Sequence, residues 1–442
     1  MKMRRTPRFV GLTMSLAAMV SLAACGGGPV PEGGPGGDSS EAEAVDFSQR
    51  GPITFVTGKD LSGLLQSEID KWNEDHPDEK VRLIELPDEA DQQRQQMVNN
   101  ARTKGTECTV LSMDVVWTAE FAANGWVVPL PEDKVDTEGM LPATVEAGTY
   151  FDKLYGLPVT SDGGLLYYRT DWLKKAGIDA PPTTFDEVQQ ACKTIKEKVS
   201  EAKDADCYGG QFNKYEGLTV NFSEFVNSAG GSLIGEDGKP TANSEGVLKG
   251  LTKLKEMFDD GTIPKSAQTW SEEESREAFQ QGKLVFLRNW PYVYALADAD
   301  DGSSKVDGKF GVAPLPGVDG PGVSSLGGHN YAISAFAENK GTAIDFMNYM
   351  AAEEEMKART EKTSQAPTRA SIYDDPDLVR QYPYLPVLKK SIETAKPRPK
   401  VANYGDVTLA IQDAAYGVIS GDQQPQPALD GLQAKLEELL KR

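Results

Sequence analysis

Two carboxylates stand directly after predicted β-strands, where they could hydrogen-bond a ligand. Residues 53–57 predict a strand, and Lys59 and Asp60 follow its end. Residues 109–113 predict another strand, which leads into Asp114. In open α/β sheets ligands bind beyond the carboxyl ends of the strands, so these side chains are candidate ligand contacts. Asp114 also precedes a predicted helix, and an N-cap of that helix is its alternative role.

The elements that would position these carboxylates predict an α/β fold. Strands and helices alternate along the chain, over residues 53–57, 61–75, 81–84, 88–103, 109–113 and 115–124. This alternation favours a sheet of parallel strands joined by right-handed crossovers. Further helices are predicted over residues 185–201, 216–229, 245–260, 272–281 and 429–440. The globular part, about 390 residues, is too long for one typical core and predicts two domains.

The N-terminal segment has the layout of a signal peptide. Cationic residues precede an apolar run over residues 9–24, which is shorter than the roughly 20 residues that a transmembrane helix needs. The stretch Leu22–Gly26 resembles a bacterial lipobox, in which Cys25 becomes lipidated, and ordinary cleavage beside a free cysteine is the alternative. We therefore predict a signal peptide over residues 1–24, and a lipidated cysteine with a flexible, Gly- and Pro-rich tether over residues 25–50.

Three further cysteines lie in the globular part. Cys192 and Cys207 flank a helix-like stretch and are close in sequence, so we predict a disulfide between them and a buried, free Cys108. Disulfides are permitted outside the cytoplasmic membrane. No Cys-x-x-Cys spacing and no histidine cluster accompanies these thiols, so no metal site is predicted.

Charge and missing motifs exclude several classes of function. The chain carries a formal charge of −21, which disfavours binding to nucleic acid or to anionic lipid surfaces. No Gly-x-Ser-x-Gly elbow, P-loop or His-Glu-x-x-His motif occurs. His76 and His329 are the two histidines of the sequence, which disfavours a histidine-based catalytic triad. The sequence therefore indicates a protein that is not an enzyme and that needs no cofactor.

Four segments carry a resemblance to a known family. In chain order they are residues 114–121 with 125–130, 157–173, 282–291 with 326–328, and 396–399. This ordered set resembles the carbohydrate-binding lipoproteins of bacterial ABC importers, the extracellular solute-binding proteins of family 1, and among them the trehalose/maltose-binding branch. The similarity extends over nearly all of the chain from residue 51 to residue 442.

The resemblance implies a fold and a function. The fold is α/β and two-lobed, of the periplasmic-binding-protein type (type II), with the ligand cleft between lobes joined by a hinge of several chain crossings. One lobe is expected over residues 51–158 with 326–366, and the other over residues 159–325 with 367–442. The implied function is the capture of a sugar, above all an α-linked glucose disaccharide such as trehalose or maltose. A monomeric receptor, lipid-anchored on the extracellular face of the cell membrane, would deliver it to a permease with a cytoplasmic ATPase.

The family pattern assigns ligand contacts to Asp114, Asp162, Trp290 and Arg398. Carboxylates and guanidinium groups hydrogen-bond pairs of hydroxyl groups, and aromatic faces pack against the C–H surface of a sugar. Each residue has a structural alternative, which is a helix cap for Asp114 and a turn aspartate beside glycine for Asp162. A core tryptophan is the alternative for Trp290, and a solvated arginine between two prolines is the alternative for Arg398.

Further candidates complete the predicted site. Gly327 and Gly328 would let the backbone approach a sugar closely. The branch often has an aromatic residue at the next position, where this chain has His329. His329 would donate to a sugar hydroxyl or be a histidine satisfied within the fold. Asp60 and Glu216 are also predicted to contact the ligand.

Two rival functions remain open at this point. A secreted glycoside hydrolase would use a pair of carboxylates, with Asp114 and Asp162 as the pair. Alternatively, the two-lobed fold could bind a peptide, a metal ion or a polyamine. The combination of aromatic, acidic and arginine side chains favours a neutral polyol over these ligands.

Overall fold

The computed structural model describes residues 45–60 and 62–441. Residues Val45–Arg442 form one compact unit. The predicted signal peptide over residues 1–24 and the predicted lipidation of Cys25 lie outside the described residues. These two expectations therefore stay predictions.

Short strands are distributed along the chain and form two main sheets. The strands are β1 (Ile53–Gly58), β2 (Val81–Leu86), β3 (Val110–Asp114), β4 (Thr149–Tyr150), β5 (Lys153–Leu154), β6 (Leu157–Thr160), β7 (Leu165–Arg169), β8 (Asp206–Gly209), β9 (Leu284–Asn289), β10 (Phe310–Ala313) and β11 (His329–Ile333). The first sheet has the order β2-β1-β3-β11-β6, and the second has the order β10-β7-β9-β8. Strands β4 and β5 form a separate small hairpin.

Helices cover both sheets and form much of the C-terminal third. They are α1 (Leu65–Asp75), α2 (Ala90–Arg102), α3 (Thr118–Ala123), α4 (Pro142–Ala147), α5 (Thr170–Ala176), α6 (Phe185–Lys198), α7 (Glu216–Ser228), α8 (Glu245–Asp259), α9 (Glu272–Gln280), α10 (Val293–Ala297), α11 (Lys340–Met350), α12 (Glu353–Thr363), α13 (Ala370–Asp374), α14 (Pro376–Gln381), α15 (Leu385–Thr394), α16 (Tyr404–Ile419) and α17 (Pro425–Leu439). Within the described ranges, every helix is too short or too polar to serve as a membrane span.

The first sheet confirms the predicted βαβ rhythm but is not wholly parallel. Strand β1 pairs in parallel with β2 and β3, as the alternation of strands and helices predicts. Strand β11 lies between β3 and β6 and is antiparallel to both. The second sheet is also mixed, because β7 is antiparallel to β9 and β10 whereas β8 is parallel to β9. The predicted parallel pairing thus holds for β1, β2 and β3, the strands of the N-terminal alternation, while each sheet as a whole is mixed.

Aromatic side chains fill the layer between the first sheet and helices α1 and α11. The ring of Phe55 lies 4.8 Å from that of Tyr331 and 5.6 Å from that of Phe346. Trp72 of α1 packs edge-on against Phe346 at 5.5 Å. A second aromatic core lies under the other sheet, where Phe185 and Phe225 stack at 4.1 Å. Burial of such rings supplies a large share of the free energy that holds each layer together.

Helix α1 begins later than the sequence pattern predicts. The prediction placed its start at residue 61, whereas the helix begins at Leu65. The Asp60 side chain accepts hydrogen bonds from the backbone N–H of Ser62 at 2.8 Å and of Leu65 at 3.0 Å. The aspartate takes up backbone donors just before the helix, which favours a turn there over an earlier helix start.

The structure links Cys192 of α6 to Cys207 of β8 by a disulfide, with 5.8 Å between their Cα atoms. Cys108 is free, and its side chain is half-exposed. The prediction of a buried Cys108 is therefore wrong. The residue lies in the loop that enters β3, before the chain reaches the core at Val110.

Replacing both Cys192 and Cys207 by serine is expected to lower the free energy of unfolding by about 3 kcal/mol. The disulfide closes a loop of 15 residues, and a cross-link of that length removes about this much loop entropy from the unfolded chain. Urea unfolding of residues 45–442 measures the change. Cys108→Ser is the control, with an expected change of about 0.5 kcal/mol or less. Equal losses in the two variants would contradict the prediction.

Candidate ligand-binding site

Three segments that run side by side between the two sheets carry several of the predicted site residues. The first, residues 161–164, joins β6 of the first sheet to β7 of the second. The second, residues 324–328, leads back to β11 of the first sheet. Isolated β-bridges join Gly163 to Leu326 and Ser325 to Lys396, so residues 396–398 form the third segment. These contacts bring together residues that are more than 200 positions apart in sequence.

A cavity of about 790 Å³ lies beside these segments and the ends of the strands. Pockets for small molecules commonly have volumes of about 300–1,000 Å³. All of the predicted ligand contacts line this one cavity: Asp60, Asp114, Asp162, Glu216, Trp290, Gly327, Gly328, His329 and Arg398. The structure therefore brings the candidates into a single place, although they come from seven separate regions of the chain.

Arg398 lies at the centre of a buried ionic triad. Its guanidinium donates two hydrogen bonds to the Asp114 carboxylate, at 2.6 and 3.1 Å, and one to Glu216 at 2.7 Å. Only 5% of Arg398 is exposed, so the alternative of a solvated arginine is wrong. Burial acts against the charge, but Asp114 and Glu216 outweigh it and raise the pKa of Arg398. The arginine is therefore a fixed cation that joins β3 to the first turn of α7.

Both oxygens of the Glu216 carboxylate are already engaged. One accepts from Arg398 and from the Tyr404 hydroxyl at 2.5 Å, and the other accepts from the Thr408 hydroxyl at 2.7 Å. Burial raises the pKa of Glu216, and the Arg398 guanidinium opposes that shift. Glu216 thus lies at the cavity wall as the partner of Arg398, with little hydrogen-bonding capacity left for a ligand.

Asp114 has the capping role considered for it and also lines the cavity. Its Oδ1 atom accepts from the backbone N–H of Val116 at 3.1 Å and so caps the 3-10 turn that precedes α3. The same carboxylate lines the cavity and holds Arg398. The capping interaction and the ion pair together fix the orientation of the carboxylate.

Asp162 is held at the cavity wall through its backbone. Its backbone exchanges two hydrogen bonds with Gly327, at 2.8 and 3.1 Å, while its side chain hydrogen-bonds to no other described residue. Burial and then the neighbouring Asp114 carboxylate raise the pKa of Asp162 to about 7, against the opposing effect of Arg288. A half-buried carboxylate without a partner favours a ligand that supplies hydroxyl donors.

The raised pKa of Asp162 predicts a pH-dependent cost to stability. The folded protein holds the proton up to about pH 7, whereas the ordinary pKa is 3.8. Stability therefore falls as the pH rises from about 4 to about 7, because the folded state binds more protons over that range. We expect Asp162→Asn to be more stable than the unchanged protein at pH 7.5 by up to about 4 kcal/mol, and nearly equal at pH 4.

Urea unfolding of the ligand-free protein at pH 4 and pH 7.5 measures this difference. The exposed Asp133 supplies the control, since Asp133→Asn removes a carboxylate that is not buried. A gain in stability for Asp162→Asn that is the same at both pH values would show that the carboxylate is not desolvated.

Trp290 is held between a buried cation and the backbone. The Arg288 guanidinium lies 3.9 Å from the centre of the indole ring. Arg288 is itself fixed by Glu224, with hydrogen bonds of 2.7 and 2.5 Å. A Cβ atom at Gly327 would come within 2.9 Å of the ring edge, so only glycine fits there. The indole is therefore rigid, and its remaining surface lines the cavity.

The glycine pair and His329 bring the backbone to the cavity wall. Gly328 has a φ of +108°, and a Cβ atom there would lie 2.2 Å from the carbonyl oxygen of Thr160. His329 is half-buried and donates its backbone N–H to the Thr160 hydroxyl at 2.9 Å. Burial lowers the pKa of His329, so the imidazole is neutral at physiological pH and has one donor and one acceptor.

Asp60 and a group of tyrosines form other parts of the wall. The Asp60 carboxylate is occupied by the turn that precedes α1. The Tyr215 hydroxyl donates to Glu272 at 2.6 Å, and the Tyr292 hydroxyl donates to Glu273 at 2.7 Å. The sequence did not indicate that these tyrosines pair with glutamates, although the glutamates begin α9 behind a capping box. Pairs of donors and acceptors of this kind suit a ligand that is rich in hydroxyl groups.

Comparison with known sequences gives consistent matches over most of the chain. The sequence model of the bacterial extracellular solute-binding proteins matches residues 58–357. An ABC transporter-binding protein of Deinococcus radiodurans is 32% identical over 369 residues, which cover 82% of this chain and 87% of the relative. The galactooligosaccharide-binding protein of Bacillus subtilis is 25% identical, with 94% of this chain and 93% of the relative covered.

Solved structures agree with the sequence matches. The maltose-bound MalE3 of T. maritima has a TM-score of 0.82 and 31% identity, and the match covers 88% of this chain and 99% of that one. The GacH receptor of Streptomyces glaucescens, whose structures include a complex with acarbose, has a TM-score of 0.78 and 25% identity, over 89% and 99% of the two chains. The fold is the mixed α/β, two-lobed fold of periplasmic binding proteins.

Proposed function

Because the chain belongs to the bacterial extracellular solute-binding proteins, we propose that it captures a sugar outside the cell membrane and delivers it to an ABC importer. The observation that carries this proposal is the unpartnered Asp162 carboxylate beside a fixed Trp290 in one cavity. The carboxylate would accept hydrogen bonds from sugar hydroxyls, and the indole would pack against the C–H surface of a ring.

The proposed ligand is an α-linked glucose disaccharide such as trehalose or maltose. The similar structures include a protein with bound maltose and a receptor studied with acarbose. Two buried cationic groups at the site, Arg398 and Arg288, are neutralised by Asp114, Glu216 and Glu224. These two arginines therefore offer little free positive charge to an anionic ligand, which supports a neutral sugar.

We place the two lobes at residues 51–158 with 326–366 and at residues 159–325 with 367–442. The first contains the sheet with β11, and the second contains the sheet with β9. Asn213 of the second proposed lobe donates to Glu89 of the first at 3.2 Å, which supports a closed arrangement of the lobes. Opening and closing of the lobes about the three side-by-side segments would admit the sugar.

The proposed location is the extracellular face of the cell membrane, with a lipid anchor at Cys25. The support for the anchor is the lipobox-like stretch behind an apolar run. The proposed partners are the permease of the importer and its cytoplasmic ATPase, and the receptor would act as a monomer.

The geometry disfavours the rival function of a glycoside hydrolase. That mechanism needs two carboxylates, one as general acid and the other as nucleophile or base. Asp162 is free, but Asp114 is held by two hydrogen bonds from Arg398 and by its cap on the 3-10 turn. Both oxygens of the Asp114 carboxylate already accept hydrogen bonds from the protein, so little capacity is left for it to act on a substrate or a water molecule.

A thermal-shift screen tests the proposed function across ligand classes. A bound ligand at a hundredfold excess over its Kd stabilises the folded state by about 2.7 kcal/mol. We expect higher melting temperatures with maltose, trehalose or related oligosaccharides, and no release of glucose during prolonged incubation. A shift with putrescine, a dipeptide or zinc but with no sugar would contradict the proposal, and released glucose would support the hydrolase.

A further inference from the structure

A buried ion pair between Glu224 of α7 and Arg288 of β9 supports the indole of Trp290. The two side chains are 7% and 1% exposed, and hydrogen bonds of 2.7 and 2.5 Å join them. The Arg288 guanidinium lies 3.9 Å from the centre of the indole ring. Trp290 lines the cavity, whereas Glu224 and Arg288 do not. The pair therefore acts on a ligand in the cavity only through other residues, and the indole is the nearest of these.

The Glu224 carboxylate also contacts the segments that run side by side between the two sheets. Its Oε1 atom accepts from the backbone N–H of Ser325 at 3.1 Å. The neighbouring Ser324 hydroxyl accepts from the backbone N–H of Gly164 at 2.7 Å, which joins the first of these segments to the second. A Cβ atom at Gly164 would lie 2.9 Å from both Oε1 of Glu224 and Nη2 of Arg288. The ion pair is therefore packed against two of the three segments.

A third contact fixes the remaining nitrogen of the guanidinium. Nη1 of Arg288 donates to the side-chain oxygen of Gln211 at 2.9 Å. The amide nitrogen of Gln211 in turn donates to the Ser275 hydroxyl at 2.9 Å, and both of these residues are fully buried. Every nitrogen of the guanidinium thus has an acceptor. Because the bonds to Glu224 are the charge-assisted ones, this carboxylate contributes most to the orientation of the guanidinium.

We propose that Glu224 and Arg288 are positioning residues for sugar binding, which hold the Trp290 indole at a fixed distance from the Asp162 carboxylate. The proposal rests on the function proposed above. Asp162 lies on the first of the three segments, two positions before Gly164. Because the ion pair contacts both this segment and the indole, it sets the spacing between the aromatic face and the hydrogen-bond acceptor. A displacement of about 1 Å is enough to impair a site of fixed geometry.

A double-mutant cycle tests this role by titration calorimetry with maltose, or with trehalose if maltose gives no heat. Glu224→Gln keeps the size of the side chain but removes its charge, so we expect the affinity to fall roughly 10-fold. In the Trp290→Ala background the same change should cost less than about twofold, because the indole that the pair positions is absent. Arg288→Lys keeps a cation but loses the planar guanidinium, and it should give the same pattern. An equal loss in both backgrounds would show that the pair does not act through the indole, and would overturn the proposal.

Asp171 supplies the matched control. It accepts hydrogen bonds of 2.8 and 2.7 Å from Arg169, whose guanidinium lies 3.6 Å from the centre of the Trp172 ring. This is the same arrangement of carboxylate, guanidinium and indole, but none of these three residues lines the cavity. Asp171→Asn should therefore leave the sugar affinity unchanged in both backgrounds.

A measurement without ligand separates this proposal from the proposed function. Fluorine NMR of residues 45–442 labelled with 5-fluorotryptophan reports on the indoles, and Trp290→Phe assigns the resonance of Trp290. We expect Glu224→Gln to shift or broaden that resonance and Asp171→Asn to leave it unchanged. If Glu224→Gln also leaves it unchanged, the positioning role is wrong, whether or not a sugar binds. If no sugar binds the unchanged protein, the proposed function fails, and the fluorine spectrum alone decides whether the pair positions the indole.

Discussion

Replacing Arg398 by methionine is expected to lower the free energy of unfolding by about 3–5 kcal/mol. The change removes the cation from a buried triad and leaves the carboxylates of Asp114 and Glu216 without their shared partner. Breaking a buried ion pair from one side costs about this much, because the remaining charge has no compensation. Urea unfolding at pH 7 measures the loss, which we expect to shrink at pH 4, where the Glu216 carboxyl, whose pKa is raised by burial, is protonated.

Two further variants test the origin of this loss. The triple variant Arg398→Met, Asp114→Asn and Glu216→Gln replaces the charges with neutral groups and should recover part of the stability. Arg380 supplies the exposed counterpart, since it pairs with Asp377 on the surface. Arg380→Met should change stability by about 1 kcal/mol at most. An equally small effect of Arg398→Met would contradict the buried triad.

Replacing Trp290 by alanine is expected to weaken sugar binding by roughly 30-fold or more. The indole is held by the Arg288 guanidinium and by the close approach of Gly327, so it is ordered before a ligand arrives. Truncation of a rigid aromatic residue at the centre of a binding site typically costs 2 kcal/mol or more, which corresponds to roughly 30-fold in Kd. Trp290→Phe should retain part of the affinity, because it keeps an aromatic face.

Trp172 is the matched control for this prediction. Its ring stacks on the Arg169 guanidinium at 3.6 Å, in the same kind of cation–π contact, but it does not line the cavity. Trp172→Ala should reduce stability and leave the sugar affinity of the folded protein unchanged. Titration calorimetry on the three variants separates the two effects. Equal affinities in Trp290→Ala and in the unchanged protein would remove Trp290 from the site.

The local pattern of the sequence predicted the N-terminal part of the fold well. The apolar spacing over residues 53–124 reflects helices and strands that each bury one side, and such periodicity is visible in a single sequence. The place of β11 was not predictable in this way, because its partners β3 and β6 lie about 170 to 220 positions away. Register and order in a sheet follow from packing between distant segments.

The sequence predicted which residues line the candidate site more fully than it predicted what each of them does there. All nine predicted contacts line one cavity. However, the carboxylate oxygens of Glu216 and Asp60 already accept hydrogen bonds from neighbouring protein groups. The sequence does not reveal these hydrogen bonds, since they depend on which donors the fold brings to each carboxylate.

Titration calorimetry of residues 45–442 with maltose, trehalose and longer maltodextrins tests most directly whether the cavity beside Asp162 binds a sugar. We expect saturable heat with a stoichiometry of one for at least one of these sugars, and a large loss of that heat in Asp162→Ala. Absence of heat with every sugar, or heat that Asp162→Ala leaves unchanged, would contradict the assignment of this cavity as a sugar-binding site.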